Sequence, residues 1–273
     1  MSGPSTNSPA RRIGVMDWGI GGLGFVKLLR EAAPALGCVY LSDSGAPPYG
    51  TLTRTALARR VRRALAWFGE HDIGEVVVAC NAASSVLARV PSVARASATD
   101  APRRRILGVI EPTLHALLRG PRSSIGIFGG RRTVRSLAYL TPLRRAGFCV
   151  EQRIAQPLSA FVEAGRISGP EVEREVARIL RPLAACQLLV PACTHYVALM
   201  PLFRRVAPEA RWVDPAALTL AALLEPSAQE RKHPLAEGEF WTTGSPSAFV
   251  RGAALAFELE IPRVRKLRAL PEE

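Results

Sequence analysis

The chain of 273 residues carries a formal net charge of +13 at pH 7, and 48% of its residues are hydrophobic. It is long enough for one large domain or two of ordinary size, each with a full core. The sequence has no apolar run of the roughly 18 residues that a membrane span needs, and its basic start lacks the apolar segment of a signal peptide. We therefore expect a soluble cytoplasmic protein with a disordered tail at residues 1–11 and no membrane partner.

Arginine supplies almost all of the positive charge, because the only lysines are Lys27, Lys232 and Lys266. Arginine clusters occur both on surfaces that bind nucleic acid phosphates and on solvated helix faces. In residues 53–70 the arginines at positions 59, 62 and 63 lie opposite an apolar helical stripe. No aromatic residues alternate with them, as single-strand binding would require. A solvated helix face is the better interpretation, so nucleic acid is not an expected partner, although the charge could attract an anionic substrate.

Strand-like apolar runs alternate with helical patterns along the chain. The runs begin at Ile13, Cys38, Glu75, Ile106, Ser124 and Gln187. Before the last of them, Ser168 and Glu171 predict a capping box around Pro170 at the start of a helix. Alternating strands and helices are typical of an α/β protein whose parallel sheets are covered by helices.

A weak internal repeat relates the two parts of the chain. The apolar run at residues 13–16 recurs at residues 125–128, and the pair Ala79-Cys80 recurs as Ala192-Cys193. Each predicted half thus delivers a cysteine at the carboxyl end of a strand, the edge at which open α/β sheets bind ligands. We predict two pseudo-symmetric parallel-sheet domains with the active site in the cleft between them.

A glycine-rich segment at residues 16–24 follows the first predicted strand. Gly19, Gly21 and Gly24 match the spacing of a dinucleotide-binding loop, and Asp43 lies at the distance of its ribose-binding acid. Asp17 argues against this interpretation, because its carboxylate would repel an incoming pyrophosphate. Nucleotide binding also leaves the cysteines unexplained, so we rank it below thiol chemistry.

The cysteines, five in number and widely spaced, predict free thiols. Cys80 lies between a strand and a helix, where the helix dipole stabilises a thiolate. Cys193, Thr194 and His195 bring a thiol, a hydroxyl and an imidazole to the end of another strand. Core packing is the alternative for both groups. Cys193 and His195 supply only two metal ligands, so no metal is predicted.

Together these segments resemble the aspartate/glutamate racemase family, and within it the glutamate racemase branch. The similarity is carried by the Asp-x-Gly-x-Gly-Gly-Leu segment that starts at residue 17, by Pro48-Tyr49-Gly50, by Cys80-Asn81 and by Cys193-Thr194-His195-Tyr196. Supporting segments lie at residues 108–112, 133–139 and 162–165. All of them occur in the family's order, from about residue 13 to residue 244.

The resemblance implies an isomerase, a cofactor-independent amino acid racemase with glutamate as the first candidate substrate. In this family one cysteine removes the α-proton and the other protonates the opposite face of the planar intermediate. The two acid/bases would be Cys80 and Cys193, assisted by Asp17, His195 and Glu163. The side chains and backbone around the substrate would belong to Trp18, Pro48, Tyr49, Gly50, Asn81, Ala82, Thr133 and Thr194.

The resemblance also implies the organisation of the protein. One domain would comprise residues 12–105 and 217–273, the other residues 106–216, and two chains would form a homodimer. No cofactor is expected, and the scarcity of lysine agrees, because a pyridoxal enzyme needs a lysine for its Schiff base. The product would be a D-amino acid, either for peptidoglycan precursors or for a specialised pathway.

Three positions depart from the family pattern. Trp18 replaces a serine, Ala82 replaces a threonine, and Gly130 replaces a threonine beside the unusual pair Arg131-Arg132. Because two substrate-binding hydroxyls are lost, we hypothesise that the substrate differs from glutamate or that glutamate is turned over poorly. An isomerase or decarboxylase acting on another dicarboxylic or amino acid, and a non-catalytic binding protein, remain as alternatives.

Overall fold

The computed structural model describes residues 11–90, 105–225 and 238–271. The predicted disordered tail lies outside these residues except for Arg11, whose guanidinium contacts the Glu75 carboxylate at 2.5 Å. The described strands, β1 to β10, are Arg12–Asp17, Gly37–Ser42, Glu75–Val78, Arg105–Gly108, Ser124–Gly129, Cys149–Ile154, Leu188–Ala192, Arg211–Trp212, Glu239–Thr242 and Arg265–Lys266.

These strands form two parallel sheets. The first has the order β10-β9-β2-β1-β3-β4 and the second the order β6-β5-β7-β8. The order β2-β1-β3-β4 in the first sheet is therefore repeated as β6-β5-β7-β8 in the second. This repeat confirms the predicted α/β fold with two similar halves, and the first half adds β9 and β10 beside β2.

Helices connect the strands and cover the sheets. The described α-helices are Leu23–Ala32, Arg54–Glu70, Asn81–Ser84, Ile110–Arg119, Arg131–Ser136, Leu140–Arg145, Gln156–Glu163, Pro170–Leu180, Met200–Val206, Pro215–Leu224 and Pro246–Phe257. Short 3₁₀ helices lie at Leu87–Arg89, Arg181–Leu183 and Thr194–Leu199.

The helix predicted in residues 53–70 is confirmed. The hydroxyl of Thr53 caps its first turn by accepting from the Ala56 N–H at 3.2 Å. The face that carries Leu57, Val61 and Phe68 is buried, as the apolar stripe predicted.

Two local predictions are wrong. The apolar run that begins at Ile106 continues to Ile110, but the strand ends at Gly108, because Ile110 already starts the next helix. The helix expected to be capped by Ser168 is preceded instead by Gly169, which makes no side-chain cap bond and has φ of +101°. Glycine adopts this conformation readily, and Pro170 then begins the helix at the position that favours proline.

The two halves share one apolar core. Leu29 and Val77 of the first half belong to the same buried cluster as Leu158 and Val176 of the second half. The helix Pro215–Leu224 packs against one helix of each half, Leu23–Ala32 and Ile110–Arg119. Burial of this kind stabilises by about 25 cal/mol per Å² of apolar surface removed from water, so the shared core holds the halves together.

The limits of the two domains remain a prediction. The pairing of one strand concerns the limit predicted at residue 105. The strand Arg105–Gly108 pairs with β3 in the first sheet, whereas the sequence placed the limit at residue 105. The first sheet therefore extends to Gly108, and the domain limit itself stays a prediction. No helix in the described part of the chain is long and apolar enough to cross a membrane.

Candidate active site

The predicted acid/base residues meet at the carboxyl ends of equivalent strands. Asp17 is the last residue of β1, Cys80 follows β3 and starts the helix Asn81–Ser84, and Cys193 directly follows β7. Because β3 and β7 occupy equivalent places in the two sheets, the two cysteines are presented from the two halves in the same way. This is the arrangement that the internal repeat predicted.

Cys80 is buried, with 8% of its surface exposed. Burial raises the pKa of its thiol well above the usual value, and the negative charge of Asp17 raises it further. The Ala83 N–H in the first turn of the helix opposes this by bonding the sulfur, while the charge of Cys193 adds to the rise. At neutral pH Cys80 is therefore a protonated thiol.

Cys193 begins a chain of three polar groups. Its Sγ lies 3.6 Å from Nδ1 of His195, and Nε2 of His195 lies 2.5 Å from Oε1 of Glu163. Burial lowers the pKa of His195, but hydrogen bonds and charges from Cys193 and Glu163 outweigh it and raise this pKa well above its usual value. Burial likewise opposes ionisation of Glu163, yet the hydrogen bond and charge of His195 and the bond from the Ile20 N–H lower its pKa.

Asp17 links the first half to the cysteine segment of the second. Its carboxylate accepts from the Trp18 N–H at 2.7 Å and from the Thr194 hydroxyl at 2.8 Å. Asp17 is fully buried, and its side chain also hydrogen-bonds Cys80. One carboxylate therefore contacts both the Cys80 thiol and the residue next to Cys193.

The glycine-rich segment receives side chains from the second half. Glu163 accepts the Ile20 N–H at 2.9 Å, and a Cβ placed on Gly19 would lie 1.8 Å from the same carboxylate oxygen. A Cβ on Gly21 would lie 2.4 Å from the Thr194 hydroxyl oxygen. A side chain at either position would displace Glu163 or Thr194 and His195, so glycine at both positions preserves the contacts between the halves.

The contacts of this segment and of Asp43 argue against nucleotide binding, the rival interpretation of these glycines. The segment already donates the Ile20 N–H to the Glu163 carboxylate at 2.9 Å, and a phosphate would have to displace this contact. Asp43, the candidate ribose-binding acid, is fully buried and accepts from Arg60 Nη2 at 2.6 Å, from the Tyr49 hydroxyl at 2.7 Å and from the Thr243 hydroxyl at 2.9 Å. Neither group is available to a dinucleotide.

The predicted substrate-holding residues lie at the same edge of the sheets. Some of their side chains already form hydrogen bonds within the protein. The Tyr49 side chain is committed to Asp43, which leaves the backbone of Tyr49 and Gly50 for a ligand. Asn81 is 3% exposed, and its carbonyl oxygen accepts from the Tyr139 hydroxyl at 2.8 Å. Its amide NH₂ retains its donors. Thr133 is also buried, and Pro48 is exposed at the start of a turn that its carbonyl closes by accepting from the Thr51 N–H.

Trp18 is anchored to the loop that precedes Pro48. Its indole N–H donates to the Ala46 carbonyl at 2.9 Å, and its ring packs against the apolar cluster that contains Cys80 and Tyr49. Ala82 packs against the same cluster. At both positions an apolar surface therefore replaces the hydroxyl that the family pattern places there.

The sequence did not identify two polar residues that join the halves at this site. Tyr139, from the second half, donates to Asn81 as described above. The Gln156 side-chain oxygen accepts from the Arg131 N–H at 2.9 Å and would lie 2.6 Å from a Cβ on Gly50. The only sequence signal was the position of Tyr139 in a segment shared with the family. Among residues 11–90, 105–225 and 238–271, no group of three or more His, Cys, Asp or Glu side chains could hold a metal ion.

Comparison with known proteins gives close agreement over nearly the whole chain. A glutamate racemase of Gloeobacter violaceus is 33% identical over 253 residues, which are 88% of this chain and 90% of that protein. The Thermus thermophilus glutamate racemase, solved with β-chloro-D-alanine, has a TM-score of 0.81 and 26% identity, covering 95% of this chain and 97% of its own. The Francisella tularensis enzyme, solved with D-glutamate, has a TM-score of 0.82 and 23% identity, covering 94% and 97%. No family model matches the chain.

A two-sheet α/β protein with these relatives is an isomerase of the amino acid racemase class. The chain belongs to the glutamate racemase family. This confirms the resemblance inferred from the sequence segments. The roles proposed below for the residues at the sheet edges rest on this family membership.

Proposed function

We propose that the protein racemises glutamate without a cofactor, with Cys80 and Cys193 as its two acid/base groups. The observation that carries this proposal is the placement of the two cysteines at equivalent strand ends of the two similar halves. A thiol on each side of a substrate held between the halves could reach opposite faces of its α-carbon. One group fixed on one side could not easily reach both faces.

The surroundings of the two thiols support a division of labour between them. Racemisation needs one thiolate to remove the α-proton and one thiol to deliver a proton to the other face. The raised pKa of Cys80 keeps this residue as a thiol in the resting site. Cys193, with the protonated His195 within 3.6 Å of its sulfur, would act as the base in that state, and the roles reverse for the other enantiomer.

The α-proton of an amino acid is a very weak acid, so the site must also stabilise the charge that develops. Polar groups fixed in a water-poor site are suited to this, because they need little reorganisation during the reaction. Backbone N–H groups of Tyr49 and Gly50, the amide of Asn81 and the hydroxyls of Thr133 and Thr194 would hold the carboxylate and amino groups. Asp17 and Glu163 would position Thr194 and His195.

The family also supports a biological context. We expect a cytoplasmic homodimer that supplies D-glutamate for peptidoglycan precursors. The basic charge of the chain would favour the approach of the anionic substrate through long-range attraction.

Proton NMR in deuterated buffer tests the proposal directly. Purified enzyme is incubated with L- and D-glutamate, then with other amino acids headed by aspartate, and the α-proton signal is followed. We expect the glutamate α-proton to exchange for deuterium, and the exchange to be abolished in a Cys80→Ser/Cys193→Ser double variant. Absence of exchange with every amino acid would refute the racemase proposal for this chain.

Trp18 and Ala82 favour a second candidate, a racemase or other isomerase that prefers a different dicarboxylic or amino acid. Each lost hydroxyl would leave a polar group of bound glutamate without a partner, at a cost of about 1–3 kcal/mol. The same NMR panel separates the candidates, because faster exchange with another substrate than with glutamate would identify it.

A further inference from the structure

Arg132 reaches from the second half of the protein to the first. It is the second residue of the helix Arg131–Ser136, which starts after the end of β5. Its Nη2 group donates a hydrogen bond to the Leu52 carbonyl. Leu52 lies two residues after Gly50, so the guanidinium stands beside the loop proposed to hold the amino acid.

The Nε–H of Arg132 is buried and has no hydrogen-bond partner within the described part of the chain. A buried donor without a partner is destabilising, and such donors are rare in folded proteins. The Leu52 carbonyl is neutral, and within the described residues no carboxylate pairs with the Arg132 guanidinium. Such a guanidinium, with its buried and unused donor, is suited to an anionic ligand.

The surroundings of Arg132 belong to the proposed site. The Gln156 side-chain oxygen contacts the Arg131 N–H and faces Gly50. The helix Arg131–Ser136 packs against the helix that Cys80 caps. Thr133, the next residue in the chain, is itself a proposed substrate ligand. The helix that carries Arg132 therefore contacts the Cys80 helix, while the Arg132 guanidinium contacts the loop after Gly50 at the Leu52 carbonyl.

We propose that Arg132 forms a carboxylate subsite that binds the side-chain carboxylate of a dicarboxylic amino acid. This inference rests on the proposed function and narrows its substrate class. The planar guanidinium matches a carboxylate and binds it through charge-assisted hydrogen bonds. It also supplies the positive charge that a substrate with two carboxylates needs in a site that already contains Asp17 and Glu163.

The subsite explains how the site tolerates the departures from the family pattern. Hydroxyl groups are absent at Trp18, Ala82 and Gly130, whereas a cation is present at Arg132. A strong charged contact at the substrate's side chain replaces several weak neutral ones. The alternative role of Arg132 is a clamp between the halves, through the Leu52 carbonyl alone.

Rates of α-proton exchange with glutamate and glutamine distinguish a subsite from a clamp. The two amino acids have nearly the same shape, but only glutamate has a charged side chain. In Arg132→Leu we expect kcat/KM for glutamate to fall by about tenfold or more, while kcat/KM for glutamine changes little. Arg132→Lys should recover part of the glutamate activity, and Arg131→Leu, at the exposed neighbouring position, should leave both substrates unaffected. An equal loss with glutamate and glutamine in Arg132→Leu would overturn the subsite.

Binding of glutarate, measured by isothermal titration calorimetry, tests the subsite without any reaction. Glutarate lacks the α-amino group and cannot be racemised. We expect saturable binding to the wild type and to Arg131→Leu, and binding weaker by about tenfold or more in Arg132→Leu, with all three proteins showing the same circular dichroism spectrum. If no amino acid exchanges its α-proton but this pattern holds, the proposed function fails and the subsite stands. Equal glutarate affinity in wild type and Arg132→Leu would overturn the subsite.

Discussion

The two thiols occupy equivalent places in the two halves, but their surroundings differ. Cys80 is buried next to the carboxylate of Asp17, and its pKa is raised. Cys193 is only partly buried and lies 3.6 Å from His195, which is charged through its bond to Glu163. The Cys80 thiol therefore lies beside a carboxylate that accepts a hydrogen bond, whereas the Cys193 sulfur lies beside a positively charged imidazole that donates one.

This difference does not come from the sheets, which have the same strand order in both halves. It comes from the side chains that surround each cysteine. Asp17 belongs to the first sheet itself, whereas Glu163 is the last residue of a helix in the second half and reaches the glycine segment of the first. Two similar sheets can thus place two thiols in different surroundings. This suits a reaction that removes a proton from one face of the α-carbon and adds a proton to the other.

Removing either thiol should have the largest effect and should break the equivalence of the pair. In Cys80→Ser and in Cys193→Ser we expect inversion to fall by about 10²–10⁴-fold, the usual contribution of an acid/base group. Each variant retains one thiol, so α-proton exchange should persist for one enantiomer only, and for opposite enantiomers in the two variants. Chiral chromatography combined with NMR in deuterated buffer measures both. Identical enantiomer preference in the two variants would contradict a base on each face.

Replacing the carboxylates of Glu163 and Asp17 by amides should distinguish the contributions of the Cys193 and Cys80 surroundings. Glu163→Gln removes the charge that keeps His195 protonated, while Asp17→Asn acts on Cys80 and Thr194. The loss of a charged hydrogen bond of about 1.5–3 kcal/mol corresponds to about ten- to a hundredfold in kcat. We expect the two variants to slow opposite directions of the reaction, measured as initial rates from L- and from D-glutamate. Equal slowing from both enantiomers in both variants would show that the carboxylates do not serve separate thiols.

Restoring the family's hydroxyls should improve the substrate-holding residues without touching the thiols. In the double variant Trp18→Ser/Ala82→Thr we expect turnover of glutamate to rise by about tenfold, from about 1–3 kcal/mol for each regained contact, less what the loss of indole packing costs. Trp212→Phe, a change in the second sheet, serves as the control. Unchanged glutamate turnover in the double variant would disprove the hypothesis that these positions limit activity.

The smallest effect is a shift in one titration. Histidine has an unperturbed pKa of about 6.5, and His195 is raised well above it. A raised folded pKa stabilises the protein below the unfolded pKa, and this contribution is lost as the pH rises through the folded pKa. In Glu163→Gln the negative charge that raises the pKa of His195 is lost, while burial still opposes its protonation, so this pKa should fall. NMR titration of the histidine ring protons, with His195→Asn to assign the signal, measures the shift, and an unchanged pKa would exclude Glu163 as its cause.

The sequence predicts the sheet and the cysteines better than it predicts the contacts between the halves. Buried strands such as Ser124–Gly129 form continuous apolar runs, so both their type and the cysteines that follow such runs could be anticipated. The strand Cys149–Ile154 was missed because it is largely polar and exposed at a sheet edge. The strands Arg211–Trp212 and Arg265–Lys266 are too short to show any period.

The contacts of the site depend on long-range packing. Glu163 and Ile20 are 143 positions apart, and no local pattern encodes their hydrogen bond. Only the resemblance to the family placed Glu163 in the site. Arg132 illustrates the same limit, since its sequence neighbours give no indication that its Nε is buried.

The hydrogen bond between Glu163 and the Ile20 N–H also affects which anions can bind the glycine-rich segment. A glycine segment of this kind would bind a free anion from solution, and here the anion is tethered to the same chain. Tethering makes the binding intramolecular, so a free anion must displace a carboxylate that the same chain already holds in place. Metabolite anions such as phosphate compete poorly for the segment under these conditions. The exclusion of foreign anions therefore depends on how firmly the shared core holds Glu163 in place.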